Sequence, residues 1–172
     1  MGFSTVFTPP IAILKNNAYL CAHFTRNIHP IEDTKQHMPI TIKDKEQTLT
    51  AGQLEDLFLS VEWSSGHYPD KLERAMQNYA TVFSAWDGDR LVGLISAMDD
   101  GVMTAYIHYL LVRPDCQGRG IGRQLLEKVK EKYKDYLRIA LMAYNKECAF
   151  YERCGFTKAE NETPMFITSL WT

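Results

Sequence analysis

The chain has 172 residues, 45% of them hydrophobic and 23% charged, with a formal charge of −2. That size and balance fit one folded domain and exclude wholesale disorder, and the slight acidity weighs against a protein that lives by contacts to a nucleic-acid backbone. The four cysteines, Cys21, Cys116, Cys148 and Cys154, form no CxxC pair and no disulfide framework, so reduced thiols in a cytoplasmic protein are the expectation.

Residues 1–37 read as an extension of uncertain order. Pro9 and Pro10 interrupt the start, Lys15, Asn16 and Asn17 close the short apolar run 11–14, and no secretion signal results. No apolar run approaches the roughly 20 residues that span a bilayer, so no membrane partner is expected. Runs 11–14 and 19–24 fit short strands or a poorly ordered segment equally. Cys21, His23, His29 and His37 complete no metal-ligand cluster, and no metal is expected.

From Met38 the pattern sharpens into a domain spanning 38–172. Residues 39–43 predict a strand. Thr50 caps a helix from Ala51 whose apolar stripe is Leu54, Leu57, Phe58 and Val61. Ser64, Ser65 and Gly66 make a turn, and Pro69 suits the first turn of a second helix reaching Tyr79. Residues 81–86 and 90–97 predict a hairpin about Asp87, Gly88 and Asp89. Residues 103–112 predict a central strand, with Tyr106, His108, Leu110 and Val112 on one face and Ile107, Tyr109 and Leu111 on the other. A helix follows to about residue 134 with Ile121, Leu125, Val129 and Tyr133 inward. Then come a strand over 137–142, a short helix capped by Asn145 and stopped at Gly155, and closing strands at 156–157 and 165–171. The sum is an α/β (α+β) domain.

The most informative segment is Val112-Arg-Pro-Asp-Cys-Gln-Gly-Arg-Gly-Ile-Gly122, a strand, a glycine turn and a helix in immediate order. Glycines there let backbone N–H groups converge, the helix start adds partial positive charge, and Arg119 and Arg123 add full charge nearby. That combination suits a pyrophosphate. The dinucleotide fingerprint GxGxxG fails because Arg123 stands three after Gly120, and no GK[ST] follows the glycines.

The stretch Gln117-Gly-Arg-Gly-Ile-Gly122, after Leu110-Leu-Val-Arg-Pro, resembles the acetyl-CoA signature of the GCN5-related N-acetyltransferase (GNAT) superfamily, and Asn145 with Ala149-Phe-Tyr-Glu-Arg-Cys-Gly-Phe156 resembles a second segment of it. The resemblance covers about residues 38–172. It implies a mixed, mostly antiparallel sheet with helices on both faces, and two splayed parallel strands with acyl-CoA between them. It also implies pyrophosphate over the backbone of Gln117, Gly118, Arg119, Gly120, Ile121, Gly122 and Arg123. The pantetheine arm would lie along Leu110, Leu111 and Val112, with Asn145, Phe150 and Tyr151 beside the cofactor.

The same resemblance implies transfer of acetyl from acetyl-CoA to a primary amine, most simply of a small molecule. In it Tyr151 is the acid for the departing sulfur. His108 is the base or the anchor of a base, as in the arylalkylamine N-acetyltransferases, which this chain resembles in part; it departs from them where Leu110 stands in place of a second histidine. Trp63, His67, Tyr68 and His108 are candidate acceptor contacts. Packing roles for Tyr151, His108 and Trp63 are the competing readings. Acetylation of a protein lysine or N-terminus, and acyl-CoA binding without transfer, are the competing functions. A monomer or a homodimer fits equally.

Overall fold

The computed structural model describes residues 39–45, 48–168 and 170. The expectations for 1–37, including the runs 11–14 and 19–24 and the scattered Cys21 and histidines, lie outside the described residues, as does Trp171.

Strand β1 (Thr41–Lys43) leads to helix α1 (Ala51–Ser60). The helix starts where it does because Thr50 and Gln53 cap each other: the Gln53 N–H donates to Thr50 Oγ1 and the Thr50 N–H donates to Gln53 Oε1. Leu54, Leu57 and Phe58 are fully buried at three- and four-residue spacing. The expected turn at 64–66 is a 3-10 turn over Ser64–His67. Helix α2 (Pro69–Asn78) begins on its proline and buries Leu72 and Met76. The hairpin forms as β2 (Thr81–Asp87) and β3 (Arg90–Asp99), followed by β4 (Thr104–Val112), α3 (Ile121–Lys132), β5 (Arg138–Leu141) and α4 (Cys148–Arg153).

The strands lie in the order β1-β2-β3-β4-β5, antiparallel except for the parallel pair β4 and β5. On one face α3 sets Ile121, Leu125, Leu126 and Val129 against Val92, Ile95, Ala105 and Ile107. On the other, α1 and α2 set Leu54, Leu57, Phe58 and Met76 against Val82, Leu94 and Leu111. The Tyr133 hydroxyl fastens the end of α3, donating to Asp99 at 2.6 Å and bonded to the Thr81 hydroxyl at 2.6 Å. The GNAT-type architecture expected from the sequence is the one observed.

Three expectations are corrected. The first is the facing of β4. Ser96 pairs with Tyr109 and Ala97 with Ile107, so His108 is an extra residue in a β-bulge. One inserted residue reverses the alternation. Ile107 therefore shares the α3 face with Leu110 and Val112, while Tyr109 and Leu111 face α1. His108, which simple alternation puts with Leu110 and Val112, instead lies among Tyr79, Tyr106 and Tyr109.

The second is Asn145, which caps nothing: it opens a 3-10 turn over Asn145–Glu147, and α4 starts behind it without a side-chain cap. The third is the chain end. Residues 156–168 form no strand, and Met165 and Ile167 stand in solvent. Their β-propensity is real, but no burial is gained that would offset the entropy of ordering them.

Candidate active site

The site begins where β4 and β5 part. Their pairing runs from Thr104 and Arg138 to Ile107 and Leu141 and stops. The bulge residue comes next, and β4 continues alone to Val112. Beyond it the Arg113 N–H donates to the Val92 carbonyl, toward β3. Strand groups alternate sides, so the main-chain groups of Leu110 and Val112 face away from β3, into the gap. The Gln117 side-chain amide donates to the Val112 carbonyl at 3.0 Å from that side. The gap widens into a cleft of about 740 Å³, with Leu110, Leu111 and Val112 along its wall.

The glycine turn forms the floor. Gly118 and Gly120 have φ of +76° and +75°, a conformation that L side chains resist. A Cβ on Gly118 would meet no atom of the described residues within 4 Å, so among them the turn is open above the backbone. Gly120 stands at the N-cap of α3 with no side-chain cap and no acid in the first turn. The first bond closing the helix is Gln124 N–H to Gly120 C=O at 3.0 Å. The N–H groups of Ile121, Gly122 and Arg123 therefore have no acceptor inside the helix and are available to an anion. Gln117, Gly118, Gly120, Ile121, Gly122 and Arg123 all line the cleft. This open cradle, with N–H donors and no acid in the first turn of α3, fits a pyrophosphate.

Arg119 is the exception. Its guanidinium is 3.2 Å from Asp87 at the end of β2, and both side chains are largely buried. It anchors the turn to the hairpin and does not line the cleft, so the charge expected from it is already neutralised.

From α4, Phe150 and Tyr151 reach the cleft. Tyr151 sits edge-on between Phe150 and Phe156, with centroids at 5.1 and 6.0 Å. Burial first, then the Glu147 carboxylate and Cys154, push its hydroxyl up to about 12. Asn145 itself is exposed and does not line the cleft, although Tyr144, Lys146 and Glu147 around it do. Sequence reasoning missed Lys146 and Arg153. Arg153 stands three after Phe150 on the same helix, a spacing that would have found it. A lone lysine beside Asn145 gives no such signal.

The end of α1 and the link to α2 supply the remaining wall through Ser60, Val61, Glu62 and Trp63. Glu62 has φ of +61°, a strained value for a non-glycine residue. Trp63 lines the cleft, while His67 and Tyr68 do not. Tyr68 is exposed, with Lys71 Nζ 4.9 Å from its ring centre. His108 stands at the bulge, outside the lining residues and partly exposed, where partial desolvation lowers its pKa from the ordinary 6.5. Among the described residues no group of three His, Cys, Asp or Glu could hold a metal ion.

The family model for an acetyltransferase (GNAT) domain matches residues 43–165. An uncharacterised N-acetyltransferase, ycf52-like, from Prochlorococcus marinus is 31% identical over 117 residues, covering 64% of each chain. Serotonin N-acetyltransferase 2, chloroplastic, from Oryza sativa is 30% identical over 114 residues, 63% of this chain and 56% of that one. The chain thus spans less than two thirds of the length of these curated relatives. Among solved structures, a GNAT-family acetyltransferase from Streptococcus pneumoniae is 27% identical with a TM-score of 0.66, covering 76% of this chain and 99% of that one.

Proposed function

The chain belongs to the GNAT family of acetyltransferases, and from that premise we propose that it transfers acetyl directly from acetyl-CoA to a primary amine of a small molecule. The observation that carries this reading is a single cleft joining the open edge of β4, the uncapped start of α3 and Tyr151.

In this reading the N–H groups of Ile121, Gly122 and Arg123 hold the pyrophosphate, helped by the side chains of Arg123 and Lys146. The main chain of Leu110 and Val112 pairs with the amides of the pantetheine arm. Acetyl-CoA supplies the acyl group as an activated thioester. Tyr151 keeps its proton throughout neutral pH, because its hydroxyl is pushed up to about 12, and donates it as a hydrogen bond to the departing sulfur.

The acceptor must lose a proton. A free alkylamine has a pKa near 10, so about one in a thousand is neutral at pH 7, and selecting that form costs roughly 4 kcal/mol. His108 is the group we assign to this proton. Its support is its position at the bulge, just before β4 opens, and a partly exposed ring whose pKa is lowered by desolvation. Trp63 offers the acceptor an aromatic wall. The name of the rice relative makes arylalkylamines the first acceptors to try.

Calorimetric titration with acetyl-CoA, CoA and a nicotinamide dinucleotide, followed by turnover on arylalkylamines, aliphatic polyamines and lysine or N-terminal peptides, tests the reading. CoA binding with transfer to small amines is expected. Transfer confined to peptides would replace the acceptor class. Binding without any transfer would leave an acyl-CoA module, and dinucleotide binding in place of CoA would overturn the assignment.

A further inference from the structure

Outside the cleft, Tyr79 at the end of α2 meets His108 at the β4 bulge. The Tyr79 hydroxyl hydrogen bonds Nδ1 of His108. The imidazole lies on the Tyr109 ring, with centroids 4.1 Å and planes 20° apart, and the Tyr79 ring stands 5.8 Å from it. Tyr109 in turn is 5.6 Å from Trp63, which lines the cleft. A bulge would leave an unpaired histidine free to swing, but these contacts hold it in one orientation.

Resting on the acetyl-transfer reading above, we infer that Tyr79 is a positioning residue for His108: its hydroxyl donates to Nδ1 and so holds the ring neutral, in the tautomer with its proton on Nε2.

The chemistry follows from what surrounds the ring. A phenol can donate to Nδ1 only while that nitrogen keeps its lone pair, which selects the Nε2–H form. Tyr79 faces the ring from α2, and Tyr106 and Tyr109 face it from β4. Across the bulge β3 presents Ala97 and Ser96, which carry no charge; the Ser96 hydroxyl acts on the Tyr79 hydroxyl and offsets part of the effect of burial on it. Lys45 Nζ donates to the Tyr79 carbonyl, at the edge of the group. Among the described residues no carboxylate bonds to the imidazole, so nothing stabilises its charged form as an aspartate would.

Burial acts in the same sense on both partners. It raises the Tyr79 hydroxyl well above its ordinary value and lowers His108 below its own, so the proton stays on oxygen. Proton uptake by His108 at Nδ1 then requires the Tyr79 hydroxyl to turn from donor to acceptor. The tyrosine couples the charge of the ring to its own orientation.

The test is nitrogen-detected NMR of the full chain labelled at histidine, titrated across the imidazole range without substrate. His108→Gln identifies its signals among the five histidines. The parent should show the Nε2–H tautomer and a midpoint below 6.5. A folded Tyr79→Phe variant should show mixed tautomers and a midpoint raised by roughly half a unit to one unit. The acidic limb of its kcat/KM profile should move to higher pH by the same amount, with CoA affinity unchanged. An Nδ1–H tautomer in the parent, or a tautomer and midpoint unmoved in the variant, would overturn the inference. A midpoint that moves while the kinetic limb stays fixed upholds the Tyr79–His108 pair and removes His108 from the catalytic reading.

Discussion

Arg119 and Asp87 are joined at 3.2 Å, although the arginine stands between the two glycines of the anion-binding turn. The pair ties that turn to the β2–β3 hairpin from behind. Arg123, in the first turn of α3, lines the cleft.

The two arginines should therefore fail differently. Arg119→Ala breaks a largely buried pair and should lower stability by roughly 1–2 kcal/mol. Arg123→Ala should leave the melting temperature near that of the parent and weaken CoA several-fold. Thermal melts and calorimetry on both variants check this. An Arg119→Ala protein of parental stability that loses more CoA affinity than Arg123→Ala would contradict the assignment.

Among the glycines, Gly120 and Gly122 should separate as clearly. Gly120 has φ of +75°, so Gly120→Val strains the backbone and places bulk over the helix start. CoA affinity should fall roughly tenfold or more. At Gly122 a new Cβ would meet Phe150 at 3.6 Å and Val112 at 3.7 Å, ordinary contacts, so Gly122→Ala should fold with nearly parental stability. Equal CoA affinity in a folded Gly120→Val variant would move the pyrophosphate elsewhere.

What the sequence made legible here is what neighbours in the chain decide. The cap at Thr50, the stripe Leu54, Leu57 and Phe58, the proline start of α2, the hairpin about Gly88 and the glycine turn are all set by residues a few positions apart. The facing of His108 is set by its register against Ser96 and Ala97, more than ten residues away in the chain, and no pattern within β4 announces a bulge. The side chain of Arg119 was legible as charge near a phosphate site, but its partner Asp87 lies on another element. Residues 165–168 read as strand because propensity is local, while pairing needs an edge to join.

Glu62 holds φ of +61° at the cleft wall. Glu62→Gly removes that strain and should raise stability by up to about 1 kcal/mol. If the carboxylate greets an amine, KM for the acceptor should rise in the same variant with CoA affinity unchanged. Urea unfolding and acceptor kinetics measure the two effects. A destabilised Glu62→Gly protein would show that the side chain, not the backbone, dominates at this position.

His108 carries a pH signature of its own. Burial lowers its pKa, so its neutral form persists below 6.5 and the acidic limb of kcat/KM should fall there. In His108→Gln that limb should vanish while rates at higher pH drop. A limb retained at its parental position would show that another group titrates.

Tyr151 is expected to lower the barrier by giving a hydrogen bond to the sulfur, and its raised pKa makes the consequences specific. Tyr151→Phe keeps the ring between Phe150 and Phe156 and removes only the hydroxyl. Because the lost contact strengthens as charge grows on sulfur, kcat should drop roughly 10- to 100-fold while CoA affinity hardly moves. The folded protein holds the Tyr151 proton to about 12, whereas the unfolded chain releases it near 10. The stability from this difference is fully present below pH 10 and is lost as pH rises toward 12. Parental melting temperature should therefore fall more steeply than that of Tyr151→Phe above pH 10, since Tyr79 and Tyr133 titrate in both proteins and cancel in the comparison. Glu147→Gln removes the carboxylate that helps hold the proton in place, so phenolate absorbance should appear at lower pH. Parental kcat in Tyr151→Phe at every pH would show that sulfur departs without this hydroxyl, and would leave Tyr151 as one more ring in the wall of the cleft.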